Sequence, residues 1–178
     1  MGARVMINLT GEGRRFEQML RELQDKEVRI GFQDIESDTQ GEDGEKIYAK
    51  AGVRRGPGGE VINSEVSILD IAMWNELGTE HVKPRPFLRK SVDENIAEIN
   101  SFLQEEKAYM LNGRSAEQIL KDIGVFLKGL IQDKIVDGNF EPNKEITKIR
   151  KGSDHPLIDT GRMLQSVNYV IRQKGDGD

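Results

Sequence analysis

The chain has 178 residues, 36% hydrophobic and 32% charged, with a formal net charge of -5, a length and make-up that suit one soluble domain with a modest core rather than two. The absence of cysteine excludes a disulfide framework, a thiolate nucleophile and a Cys-ligated metal or iron–sulfur cluster, and the acidic balance argues against broad nucleic-acid binding, which needs a clustered surplus of Lys and Arg. The longest apolar run, Ile68 to Trp74, is interrupted by Asp70 and falls well short of the about 20 residues of a membrane span.

At the N-terminus, Asn8, Thr10 and Glu12 follow the first apolar residues too closely for a signal peptide, so synthesis in a reducing cytosol is expected. From Arg14 to Asp25, Phe16, Met19, Leu20 and Leu23 recur at spacings of three and four, which predicts an amphipathic helix. Val28, Ile30 and Phe32 then alternate with Arg29 and Gly31 as in a half-buried strand. Residues 33–63 form a Gly-rich acidic insert whose apolar content is too low to offset its ordering entropy, and it is expected to be flexible. Inside it, short strands around Tyr48 to Val53 and at Val61 could pair across the turn Gly56-Pro57-Gly58-Gly59.

Ser64 is the expected N-cap of a helix over Ser67 to Leu77, which Gly78 would end. Pro84 and Pro86 block helix before them and allow a long helix to start near Pro86. Leu88, Val92, Ile96, Ile99, Leu103 and Met110 mark its stripe, and Asn112-Gly113 its stop. Ser115 and Gln118 form a capping-box pair ahead of Leu120, Ile123, Leu127, Leu130 and Ile131, so two long helices should make a hairpin. Phe140 to Asp154 reads as an exposed loop, and Val167, Tyr169 and Ile171 as a last strand before a disordered tail over 174–178. The expected fold class is α+β: a small antiparallel sheet against a long helical hairpin and shorter helices, in a single domain over 1–178.

Leu157-Ile158-Asp159-Thr160-Gly161 carries the Asp-Thr-Gly signature of aspartic proteases, in which two such loops bring two carboxylates together. A homodimer could supply the second Asp, so a small hydrolase using Asp159 is one alternative. Only 17 residues follow Gly161, too few for the rest of a protease lobe, and a helical turn at Arg162 to Gln165 capped by Asp159 or Thr160 is favoured. Asp34, Glu36, Asp38 and Glu45 fall at positions one, three, five and twelve of a calcium loop, but Thr39 replaces the required Gly and a strand precedes, which favours a solvated acidic loop. His81 and His155 have no ligand-spaced partner, and neither Gly11-Glu12-Gly13 nor Gly56 to Gly59 has a phosphate-loop pattern; both Gly tracts read as turns. No metal and no cofactor is therefore expected. Lys83, Arg85, Arg89 and Lys90 cluster at a helix start, where the macrodipole disfavours cations. That cost hints at a partner and leaves a second alternative, a cytosolic adaptor binding a protein along Lys83 to Lys90; the plainer reading pairs Arg85 with an acid of its own chain.

Asn75-Glu76-Leu77-Gly78-Thr79, then His81, then Lys83-Pro84-Arg85-Pro86-Phe87-Leu88-Arg89 resembles the tail-completion and head-tail joining proteins of tailed bacteriophages, including the phage virion morphogenesis family, with their Glu-x-Gly-Thr turn and Arg-Pro-Phe-Leu helix start. Pro156-Leu157-Ile158-Asp159-Thr160-Gly161-Arg162-Met163-Leu164-Gln165-Ser166 resembles the same family's Pro-Leu-hydrophobic-Asp-Thr-Gly segment before its last strand. The resemblance implies a non-enzymatic α+β protomer of the virion neck or tail terminus, assembled in the host cytoplasm into a ring, hexameric by the same likeness. That ring would contact the head connector or other neck proteins and the tail tube protein, and let genomic DNA pass without sequence-specific binding and without any membrane role. It assigns structural or interface roles to Glu76, Gly78, Thr79, Arg85, Pro86, Phe87, Asp159, Thr160 and Gly161, and explains Asp-Thr-Gly without catalysis.

Overall fold

The structure, a computed structural model, describes residues 10–32, 54–55, 61–62, 67–80, 82–151, 154–158 and 161–175. Helix α1 spans Gly11–Asp25 and strand β1 follows at once at Lys26–Phe32. The helix opens three residues before the apolar periodicity does, because Thr10 caps it, its Oγ1 accepting the Gly13 amide at 3.2 Å. Gly11-Glu12-Gly13, expected as a turn, is thus the first helical turn. Strands β2 (Arg54–Arg55) and β3 (Val61–Ile62) pair antiparallel, Arg54 opposite Ile62. The expected hairpin therefore has its first arm at Arg54–Arg55; residues 48–53, like the acidic stretch 33–47, lie outside the described residues.

Helix α2 (Ile68–Leu77) is capped by Ser67 rather than Ser64, since Asp70 stands three residues on and closes a reciprocal box. The Asp70 amide donates to Ser67 Oγ and the Ser67 amide to Asp70 Oδ2, each at 3.0 Å. The single long helix expected from Pro86 is in fact two, α3 (Phe87–Asp93) and α4 (Ile96–Leu111). At the break, Asn95 Nδ2 donates to the Ser91 carbonyl at 2.9 Å, Ser91 Oγ donates to that of Leu88 at 2.7 Å, and the Asn95 amide tightens onto Val92 O at 3.1 Å. Short polar side chains here compete with the helical ladder, and an apolar count does not register them.

Helix α5 (Ala116–Asp137) has the expected capping box, the Gln118 amide donating to Ser115 Oγ at 3.3 Å. It returns alongside α4, and the Phe102 and Phe126 rings stack between them at 4.1 Å. Half of the stripe expected to bury the first long helix is turned outward: Val92, Ile96 and Leu103 are exposed, while Leu88 packs on the main core and Met110 on a smaller cluster. The region expected as a loop contains helix α6 (Glu145–Lys151), held by Lys148, which pairs with both Glu145 and Asp154. Helix α7 (Arg162–Ser166) runs directly into strand β4 (Val167–Gln173).

The fold is α+β. Strands β1 and β4 pair antiparallel, with Val28 opposite Ile171, Ile30 opposite Tyr169 and Phe32 opposite Val167. Alternation places these six side chains on one face of the sheet, the face that meets α5. The approach is close at Gly124, where a Cβ would lie 2.3 Å from the Tyr169 ring. The main core joins Phe32, Ala72, Phe87, Ile131, Leu157, Met163 and Val167, and a smaller cluster of Met19, Ala116 and Ile119 sits under α1.

Candidate functional site

The crossing from α2 to α3 is built around a reversal that only glycine takes easily. Gly78 has φ +78°, and a Cβ there would stand 2.9 Å from the Pro84 nitrogen. Thr79 closes the loop: its amide donates to Val82 O at 2.8 Å, and its Oγ1 accepts the Val82 amide at 3.1 Å. His81, within this loop, lies outside the described residues. Pro86 then has φ −74° and ψ 70°, and the Phe87 amide returns to Arg85 O at 2.7 Å, an inverse γ-turn.

Arg85 is buried at the centre of this crossing. Its Nε donates to the Glu141 carbonyl at 3.1 Å, Nη1 to Asn75 Oδ1 at 3.3 Å and Nη2 to Asn143 Oδ1 at 3.1 Å. Asn143, itself buried, passes the connection on, its Nδ2 donating to His155 O at 3.2 Å. One planar guanidinium thus pins α2, the α2–α3 crossing and the segment after α5, and through Asn143 the segment before α7. Burial pushes the Arg85 pKa down from its usual value, opposed by the nearby Glu141 charge. The partners are carbonyl oxygens, not the acid of its own chain that the plainer reading gave it; the carboxylate of Glu141 pairs with Lys83.

The helix start beside it has a cap that the local sequence lacks. Pro86 occupies the N-cap position and offers no side-chain acceptor. Glu76, from the last turn of α2, supplies one: its Oε2 accepts the Leu88 amide at 2.8 Å and its Oε1 the Arg89 amide at 3.0 Å. A carboxylate at the positive end of α3 offsets the unfavourable placement of Arg89 and Lys90. Lys90 also pairs with Glu94 and lies over the Phe140 ring. Most of the basic cluster is thereby answered within the chain.

Of the other expected site residues, Phe87 is fully buried and meets Phe32 edge to face at 5.7 Å. Gly161 has φ +75° and holds the cap position of α7, its carbonyl accepting the Gln165 amide at 3.0 Å. The position expected for Asp159 or Thr160 therefore falls on Gly161; both of those residues lie outside the described residues. Among the described residues no group of three metal-ligating side chains converges.

A second ionic centre was not anticipated from sequence. Arg114, in the α4–α5 turn, donates through Nη1 to the buried Glu106 at 3.2 Å and to Asp122 at 2.6 Å, and its guanidinium lies 4.3 Å from the Tyr109 ring centre. The signal was a glutamate inside an apolar stripe with an arginine eight residues on, beyond a turn. An open cleft of about 530 Å³ lies between α1 and this turn, bordered by Phe16, Met19 and Met110. Comparison with protein-family models, curated proteins and solved structures gives no match.

Proposed function

We propose that this chain is a structural virion protein of a tailed bacteriophage, a subunit of a ring at the neck or tail terminus that joins the tail to the head connector and leaves a channel for DNA. The observation that carries the reading is the meeting of the two family-like segments. Phe87, from the Arg-Pro-Phe-Leu helix start, shares one core with Leu157 of the Pro-Leu-Ile-Asp-Thr-Gly motif, with Met163 two residues beyond it, and with Val167 of the strand that follows. Two stretches roughly seventy residues apart thus act as one structural unit, a relationship that chance resemblance of short motifs does not require. Each has a conformational job: one locks a crossing, the other aims the last strand.

The outward-turned apolar side chains of α2, α4 and α6 support a subunit completed by neighbours, because isolated soluble chains keep such surface small. The reading is non-enzymatic, with self-association, connector and tail tube proteins as partners. With the net charge of -5, a channel lined by such subunits would repel passing DNA rather than hold it. Electron microscopy of purified particles and of the isolated protein tests the proposal. Rings of this protein at the neck are expected, and a chain that stays monomeric and is missing from particles refutes it.

A further inference from the structure

Helix α2 is apolar on two opposite sides. Ile68 and Ala72 enter the core, while Leu69, Met73 and Leu77, each four residues from the next, run along the far side and are exposed, Leu77 by 72%. A helix with apolar residues all round is normally covered all round. From Ser67 to Glu80 the chain has three acids, Asp70, Glu76 and Glu80, and neither Lys nor Arg. Helix α6 has the inverse character. Ile146 and Ile149, one turn apart, are 69% and 81% exposed, in a stretch, 144–151, whose sequence has four basic residues and one acid, Glu145, with Lys148 already paired to Glu145 and Asp154.

We propose that α6 of one copy docks on the outer ridge of α2 of the next, Ile146 and Ile149 packing against Met73 and Leu77 with basic residues beside Asp70 and Glu80. The occupant rests on the ring reading; what is added is the contact. Within one copy the Arg85 latch holds Asn75 and Asn143 to the same guanidinium, which brings the end of α2 near the start of α6. Both apolar edges nevertheless remain exposed, so neither element covers the other. An acidic apolar ridge and a basic apolar knob on one chain complement each other between copies. Each docked copy still offers one free ridge or knob, so the contact is heterologous and repeats, as a closed ring requires.

The cysteine-free sequence makes disulfide trapping a clean test. Leu77→Cys and Ile149→Cys, prepared separately and mixed under mild oxidation, should give a mixed disulfide dimer that neither forms alone. The double variant should give a ladder of multimers ending at the ring's copy number. Ile149→Asp should abolish assembly while leaving the melting temperature unchanged, and raising salt should weaken assembly of the parent protein. Dimers from either single variant alone, a double variant that stops at dimer or closes within one chain, or normal assembly by Ile149→Asp would overturn the contact. Rings of the parent without the mixed link would sink this contact and leave the ring reading standing; a parent that never assembles would remove both.

Discussion

Asn75 holds Arg85 twice: its carbonyl accepts the Arg85 amide at 2.6 Å, and its side-chain oxygen accepts the guanidinium at 3.3 Å. The side-chain amide of Asn75 is itself fixed, donating to Ile71 O at 2.8 Å, so the arginine is held by a residue that cannot swing away. Arg85→Lys keeps the charge but replaces a planar fork serving three acceptors with a single ammonium. Bonds from charged donors are worth about 1.5–3 kcal/mol each. Arg85→Lys should therefore lower unfolding free energy by about 2 kcal/mol, read from urea melts; an unchanged midpoint would remove the latch from the stability argument.

Glu76 bridges two helices through backbone amides alone. Removing a capping acceptor costs about 0.5–2 kcal/mol, and Glu76→Ala should fall in that range. Glu76→Gln keeps an acceptor oxygen and loses the charge that favours the positive helix end, so it should recover about half of the loss. Hydrogen exchange at Leu88 and Arg89 gives a local readout: faster exchange in both variants, greater in the alanine form, is the expected pattern.

Phe87 is the first residue of α3 and is wholly enclosed, its ring edge to face with Phe32 of β1. Phe87→Ala should cost about 3–5 kcal/mol, which in a thinly cored chain is a large share of total stability. Phe87→Leu, which refills most of the volume, should cost clearly less. Equal melting temperatures for the two variants would show that the site collapses without penalty.

What the sequence made legible follows from which forces it encodes locally. The first and last strands were readable because Val28, Ile30 and Phe32, and Val167, Tyr169 and Ile171, recur at every second position, and the face they share packs against α5. The α5 cap was readable because Ser115 and Gln118 sit three apart. The break at Asn95 was not, since side-chain competition for backbone carbonyls leaves no mark on apolar periodicity. Helix α6 escaped because its isoleucines face solvent, so no buried stripe announces it. At the candidate site, Arg85 and Phe87 stood out through the flanking prolines. Asn75 and Asn143 did not, because neutral side chains 10 and 58 residues from the guanidinium they hold carry no charge or periodic pattern that marks them as its partners.

Gly124 sits mid-helix, where glycine is about 1 kcal/mol worse than alanine, yet the Tyr169 ring occupies the space a methyl group would need. Gly124→Ala should therefore destabilise on balance, by about 1–3 kcal/mol for forced overpacking, despite its better helix propensity. The double variant with Tyr169→Ala frees that space and should show strong coupling, the alanine at 124 becoming neutral or stabilising in that background. Additive losses in the cycle would mean that the ring moves aside at little cost.

The break between α3 and α4 contains a pH-sensitive contact. Glu94 accepts a 2.5 Å bond from Lys134 of α5, with Lys90 also in reach at 3.9 Å. The Lys134 hydrogen bond holds the Glu94 carboxyl below its ordinary value, the charges of Lys134 and Lys90 adding to it and a desolvation penalty opposing. A depressed folded pKa means that the unfolded chain binds the proton more readily, so this contribution is fully present above the unfolded value of about 4.3 and is lost as pH falls through the lower folded value. Because the pair is open to solvent, the effect should be small and should shrink in high salt. Glu94→Gln should melt slightly below the parent at pH 7, and the gap should close as pH falls below the unfolded carboxylate value and through the lower folded one, where the parent's own carboxylate protonates. Melts of the two proteins across pH 3 to 7, in low and high salt, supply the check, and a gap that widens on acidification would contradict the assignment.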